Sequence, residues 1–337
     1  MLPLGKLKID FLESILPDAG RDARVIVGAQ VGEDAAVIDF GETCLVAKTD
    51  PITFATDEIG WYLVCVNSND IAAMGAVPKW LLVTILLPEC NATEDLVSDI
   101  MAQIAKACEY FNIALCGGHT EVTYGLDRPI VVGQMLGEVR KERLVLSSGA
   151  REGDDLVLTK GLGIEATSII ARERESELVG RYPDSFVARA KKHLTSPGIS
   201  VLKDALTAAD AGGVHAMHDP TEGGVATAVH ELCRAAQLGA VVWQEELFLS
   251  EETERLCGEF ELNPLGVISS GALLIAAAPA RSQDIVDALG KEGIASGVIG
   301  RFHARGEGLW LEDSVGERQP LPIFECDEIT KIFDMAE

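Results

Sequence analysis

The stretch from Glu58 to Gly75 constrains this chain most. It reads as a helix with Trp61, Cys65 and Met74 among its apolar members, stopping at Gly75 with Pro78 just beyond. Asn67, Asn69 and Asp70 are set into it. A carboxylate amid Val66, Ile71, Ala72 and Met74 costs free energy unless it is paired or binds a metal. The plain alternative is that one face of the helix meets solvent.

Elements of both kinds surround this helix. Helical spacing runs from Leu7 to Leu16 and stops at Pro17. Short strands are expected over 25–27, from Gly32-Glu33-Asp34 into Ile38, over 44–48 ending at Thr49-Asp50-Pro51, over 80–87, over 113–116 ending at Gly117-Gly118-His119-Thr120, and over 130–137. Thr93 can cap a helix that carries Leu96, Ile100, Ile104 and Cys108 on one face. A polar cluster at 147–154 marks a domain boundary. Beyond it, 156–159, 272–278 and 298–299 read as strands, 225–236 and 283–290 as helices, and 172–192 as charge-rich helix or loop. With 337 residues the chain exceeds one average core. Two α/β or α+β domains, 1–148 and 149–337, are therefore expected.

Asp34 follows Gly32 and leads a strand, Asp50 follows Thr49, and Asp219 precedes Thr221-Glu222-Gly223-Gly224. Mg²⁺ takes hard oxygen ligands, commonly a few carboxylates plus substrate phosphates. Each residue also has a structural reading: Asp34 as a turn residue, Asp50-Pro51 as a turn pair, Asp219 as a helix cap. Gly117-Gly118 and Gly223-Gly224 allow close backbone approach to a ligand or to a neighbouring strand. The second pair opens a helix, where unused N–H groups favour anions. No G-x-x-x-x-G-K-[ST] is present, which excludes a P-loop, and Gly161-Leu162-Gly163 lacks the third glycine of a dinucleotide fingerprint. His215 and His218 belong to a strand and turn, His193 and His303 read as surface residues, and His230 as a structural residue of its helix.

Composition narrows the partners. Against 53 acidic residues stand 28 basic ones, a net charge of -25 that repels nucleic acid and anionic membranes; salt adaptation would give the same acidity. The eight cysteines form no C-x-x-C pair, so a zinc site is not expected and a reducing cytoplasm is. Met1 to Phe11 alternates charged and apolar residues, unlike a signal peptide, and no apolar run approaches membrane-spanning length.

Taken in order, Gly32-Glu33-Asp34-Ala35-Ala36-Val37, Thr49-Asp50, Asn69-Asp70-Ile71-Ala72-Ala73-Met74-Gly75-Ala76-Val77-Pro78, Gly117-Gly118-His119-Thr120, Gly153-Asp154-Asp155 and Asp219-Pro220-Thr221-Glu222-Gly223-Gly224-Val225-Ala226 resemble the superfamily of aminoimidazole ribonucleotide (AIR) synthase. Its relatives include selenophosphate synthetase, thiamine-monophosphate kinase and the hydrogenase maturation protein HypE. The resemblance implies a PurM-like α/β (α+β) architecture, with an N-terminal mixed-sheet domain for ATP binding and dimerisation and a C-terminal α/β domain. It implies ATP and Mg²⁺ as cofactors, a homodimer, and phosphorylation of an amide, carbonyl or similar oxygen. It places Gly32, Asp34, Thr49, Asp50, Asn69, Gly117, Gly118 and Thr120 against ATP, Asp34, Asp50, Asp70 and His119 around the metal, and Asp70, Glu121 and Asp219 in catalytic positions.

HypE is the branch this chain looks most like, with three departures. The sequence ends Asp334-Met335-Ala336-Glu337 where HypE-type proteins carry a terminal cysteine, and Cys326 stands eleven residues earlier. His119 stands where aspartate is usual, and imidazole suits Mg²⁺ poorly. Glu121 stands where lysine is usual. The expectation is an ATP-dependent enzyme acting on a small molecule or a partner peptide other than its own terminus, with a maturation partner protein. A thiamine-monophosphate-kinase-like enzyme and a non-catalytic ATP-binding scaffold are the alternatives.

Overall fold

A computed structural model describes residues 7, 9–16, 22–29, 32–53 and 57–334. Two compact units divide them. The smaller comprises residues 22–28 and 34–144; the larger comprises 7, 9–16, 29, 32–33 and 145–334. Lys8 within the expected first helix, Pro17 that ends it, and the terminal 335–337 lie outside the described residues.

In the smaller unit the strands are β1 (Val25–Val27), β2 (Ala36–Asp39), β3 (Thr43–Ile52), β4 (Val77–Pro88), β5 (Ala114–Thr123) and β6 (Ile130–Arg140). They form one sheet in the order β1-β2-β3-β6-β4-β5. Only β4 and β5 run parallel; α3 (Glu94–Phe111) makes the crossover that parallel pairing needs. Thr93 Oγ1 accepts from Leu96 N–H at 3.1 Å and caps α3 as expected. Helix α2 (Ile59–Ala73) packs against α3, β3 and β6. It is buried nearly all round, Asn67, Ser68, Asn69 and Asp70 included, so the solvent-facing alternative for Asp70 falls.

Two strands run further than the sequence suggests. Strand β3 continues through Thr49-Asp50-Pro51 to Ile52. Proline is tolerated there because β2 pairs with β3 only at Cys44–Ala47, so beyond that point the strand has one neighbour, β6. Strand β5 continues through Gly117-Gly118-His119-Thr120 to Thr123. The register with β4 slips at Cys116, and Gly118 has φ +154°. A Cβ at Gly118 would overlap the Val83 carbonyl oxygen on β4, so the glycine serves strand packing.

In the larger unit α1 (Ile9–Ile15) falls within the expected helical stretch. Its strands are β7 (Asp155–Thr159), β8 (Val214–His218), β9 (Leu238–Trp243), β10 (Leu274–Ala277), β11 (Ser296–Ala304), β12 (Leu309–Glu312) and β13 (Arg318–Pro320), in the order β13-β12-β9-β11-β7-β10-β8. Helices α4 (Ile164–Glu173), α5 (Glu175–Leu178), α6 (Asp184–Lys192), α7 (Leu202–Ala211), α8 (Gly224–Ala236), α9 (Glu251–Glu259), α10 (Ser282–Lys291) and α11 (Lys331–Asp334) pack around the sheet or follow it. The Gly153-Asp154-Asp155 motif is a strut. Asp154 pairs with His215 Nδ1 at 2.9 Å, and Asp155 takes hydrogen bonds from Arg301 at 2.7 Å and Ser282 Oγ at 2.7 Å. His193 is buried, bonded to Ser250 Oγ at 2.9 Å, where the sequence suggested a surface residue. Among the described residues no helix is long and apolar enough to cross a membrane.

Candidate functional site

Strand alternation puts Cys44, Val46, Lys48, Asp50 and Ile52 on the face of β3 that meets α2. The apolar members fill the core; Lys48 and Asp50 bring charge to it. Lys48 Nζ lies 3.0 Å from Asp70 Oδ1 and 3.5 Å from Asp50 Oδ2. Burial by itself would lower the Lys48 pKa, but Asp70, Asp50 and Asp34 outweigh it and hold the ammonium above its ordinary value. Asp70 is thus tolerated inside the helix layer because a lysine reaches it. Asp34 and Asp70 are buried, while the Asp50 side chain is 31% exposed.

The backbone around Asp50 is pinned. Asn67 Oδ1 accepts from Asp50 N–H at 3.0 Å, and Asn67 Nδ2 donates to Asp50 O at 3.3 Å and Leu63 O at 3.0 Å. Gly133, opposite Asp50 on β6, makes this approach possible: a Cβ there would come within 2.5 Å of Asn67 Nδ2. Thr49 donates its hydroxyl to Gly133 O at 2.8 Å. Asn69 is fully buried beside Asp70 on α2.

The structure therefore gathers Asp34, Asp50 and Asp70 and does not bring His119 to them within the chain. Strands β6 and β4 lie between β3 and β5, so the backbones of Asp50 and Gly118 are about 14 Å apart by three strand spacings. His119 instead meets Glu121 on the same side of β5, Nε2 to Oε2 at 3.0 Å, and both side chains are largely exposed. Gly117, Gly118, Thr120 and Glu121 stay on this exposed edge strand with it. Gly32 packs against Ala235 of α8 in the larger unit, and Glu33 beside it accepts from Ser147 N–H at 2.9 Å and Ser148 N–H at 3.1 Å.

Asp219 belongs to a second cluster, within the larger unit. It is buried, and it is not the cap of α8: Gly223 holds that position. The expected anion site at the start of α8 is already filled by a carboxylate of the chain. Gly223 N–H donates to Asp327 Oδ2 at 2.7 Å, Gly224 N–H to Thr221 O at 3.0 Å and Ala226 N–H to Leu265 O at 3.1 Å. Asp327 also accepts from Ile268 N–H at 3.2 Å and Ile329 N–H at 2.8 Å. Burial pushes its pKa up to about 6 against those three hydrogen bonds. Glu165, in the first turn of α4, is pushed up to about 8, chiefly by burial; a Ser270 hydrogen bond opposes the shift and the charges of Glu222, Asp327 and Asp219 add to it.

Sequence reasoning notes Asn67 without giving it a role and does not single out Lys48, Glu165 or Asp327. The first two carried a signal, because a lysine and an asparagine on core-facing positions need partners just as Asp70 does.

Matches to known proteins agree with this architecture. Residues 32–139 match the N-terminal domain of AIR synthase related proteins, and residues 151–310 match the C-terminal domain. A putative hydrogenase expression/formation protein of Methanocaldococcus jannaschii is 26% identical over 87% of this chain and 86% of its own length. A thiamine-monophosphate kinase of Rhodopirellula baltica is 30% identical over 71% of both. The crystal structure of HypE in complex with ATP superimposes with a TM-score of 0.72 at 21% identity, covering 94% of this chain and 91% of that one.

Proposed function

Because the chain belongs to the AIR synthase-related family, we propose that it is an ATP- and Mg²⁺-dependent enzyme that transfers a phosphoryl group to an amide, carbonyl or similar oxygen. The observation that carries this reading is the convergence of Asp34, Asp50 and Asp70 on Lys48 at the face of β3. The donor set suits a hard cation, since all three aspartates offer oxygen. The three carboxylates against one ammonium leave two negative charges, which one divalent ion balances. Asp34 and Asp50 would hold that ion, with Asp70 committed to Lys48. When bound, Mg²⁺ would supply positive charge to phosphate oxygens and a template for their placement.

The chain's own residues would do the remaining work. Asn67 fixes where Asp50 stands, and Lys48 presents a compact positive charge of the kind that binds phosphate. Asp219, in the larger unit, remains a candidate for contact with the acceptor. A homodimer is also proposed: the side of the smaller sheet away from α2 carries half-buried Leu82, Leu86 and Leu136 beside Trp80, which is 37% exposed. The M. jannaschii relative supports a role in hydrogenase expression or formation, and the Rhodopirellula relative supports a small-molecule kinase.

ADP release from Mg·ATP in the presence of small amides, thiamine phosphate and maturation-partner peptides tests the reaction. Turnover with one acceptor is expected. Calorimetric binding of Mg·ATP with no ADP under any condition would favour a non-catalytic ATP-binding scaffold. The site itself is tested by Asp50→Asn, which should weaken Mg·ATP binding at least tenfold while leaving the fold intact.

A further inference from the structure

Lys48 occupies an unusual place for a lysine. Its Nζ lies between two carboxylates from different elements, Asp50 on β3 and Asp70 on α2, with Asp34 also within electrostatic reach. Its side chain is 24% exposed, so the lysine is held by the protein without being sealed from solvent. The arrangement is fixed at both ends. Asp70 is locked in a buried helix, and Asn67 holds the Asp50 backbone through its N–H and its carbonyl. A position bounded by two such carboxylates is where a metal ion would be bridged; here an ammonium bridges them.

We propose that Lys48 is a resident cation: it fills one cation position between Asp50 and Asp70, so that the site takes one divalent ion with its nucleotide and offers the phosphates an ammonium in place of a second ion. An ammonium at bonding distance from a carboxylate repels a divalent ion from the same oxygens. The site should therefore have little divalent-ion affinity until phosphates add negative charge. The inference deepens the nucleotide reading and rests on it for the phosphates alone, because the cation position can be tested without nucleotide.

The test is a titration of the full-length protein with Mn²⁺, followed by electron paramagnetic resonance of the unbound ion, with and without a non-hydrolysable ATP analogue. Wild type should bind Mn²⁺ weakly without nucleotide and hold one ion per chain with it. Lys48→Met removes the charge and keeps the stem. It should bind Mn²⁺ at least tenfold more tightly without nucleotide and take a second ion with it. Lys48→Gln retains a hydrogen-bond donor for Asp70 and guards against misfolding of the first variant; it should show the same gain. Lys48→Arg keeps the charge and should behave as wild type. Mn²⁺ affinity within twofold of wild type in both neutral variants, or weaker than wild type, would overturn the proposal. A protein that binds no nucleotide at all would defeat the proposed function but would leave the nucleotide-free comparison decisive for Lys48.

Discussion

In the smaller unit Asp50 and Asp70 flank one lysine with Asp34 within electrostatic reach of it, whereas in the larger unit Glu222, Asp327 and Asp219 lie within electrostatic reach of Glu165. Asp34, Asp70, Glu165, Asp219 and Asp327 are buried to a similar depth, with relative exposures of 1% to 8%. The means of compensation differs. The first cluster is built around an ammonium supplied by the neighbouring strand. In the second, Asp327 draws on three backbone N–H groups and still has a raised pKa, and Glu165 has one raised to about 8. Burial is therefore a poor guide to charge by itself. What matters is whether the fold delivers a cation, and β3 delivers one because strand alternation turns Lys48 and Asp50 to the same face.

The largest effect should come from breaking the first arrangement. Asp70→Ala removes the partner 3.0 Å from Lys48 and leaves the ammonium with the more distant Asp50. Breaking a buried ion pair from one side costs about 3 kcal/mol or more. A loss of that size in urea denaturation at pH 7 is expected, with a matching fall in Mg·ATP affinity. A loss below about 1 kcal/mol would mean that the lysine is not what makes the buried carboxylate tolerable.

Glu165→Gln should act in the opposite direction. A folded pKa near 8, against an ordinary 4.5, means that the folded state binds a proton more readily than the unfolded chain. Stability from this group is fully present below about pH 4.5 and is lost as pH rises towards 8. Glutamine keeps the shape and cannot ionise. The variant should therefore be more stable than wild type by roughly 2 to 4 kcal/mol at pH 8 and equal to it near pH 4. Paired denaturation curves check this, since the variant-minus-wild-type difference cancels the general pH effect of a chain with net charge -25. A difference that does not change with pH would make the two clusters alike after all.

Between these and the weakest effect stands Asn67→Ala. Three hydrogen bonds are lost, two of them to the Asp50 backbone and one to Leu63 O, at about 1 to 3 kcal/mol together. A fall in Mg·ATP affinity larger than that of an equally destabilised variant elsewhere would identify Asn67 as a positioning residue for Asp50.

The sequence made part of this contrast visible. Asp70 announced itself as a carboxylate in an apolar helix, and its neighbours fixed the helix almost to its ends. Lys48 carried the complementary signal, a charge in the alternating series Cys44, Val46, Lys48, Asp50, Ile52. A turn at Thr49-Asp50-Pro51 would end that series at Lys48. Local chemistry favours a turn there; pairing with β6 over ten residues overrides it. The same override carries β5 through Gly117-Gly118, and it separates His119 from the carboxylates that motif order alone would group with it. Glu165 had a weaker cue in its apolar neighbours Leu162, Ile164 and Ala166. Asp327 had none, because its partners Gly223 and Ile268 are brought to it from segments 104 and 59 residues away.

Asp327→Asn probes the second cluster where the backbone compensates most. Asparagine can keep its oxygen for Ile268 and Ile329, but its amide would then face the Gly223 N–H, donor against donor. One lost hydrogen bond of this kind costs about 1 kcal/mol. The raised pKa sets how that cost varies with pH. With a folded value near 6 against an ordinary 3.8, wild type has the full contribution of this group below pH 3.8 and loses it as pH climbs through 6. The variant should therefore be least favourable relative to wild type near pH 4 and should close the gap by pH 8. A gap that instead widens with pH would mean that the three N–H groups hold Asp327 as firmly ionised as a lysine would, and the distinction between the clusters would narrow to Glu165 alone.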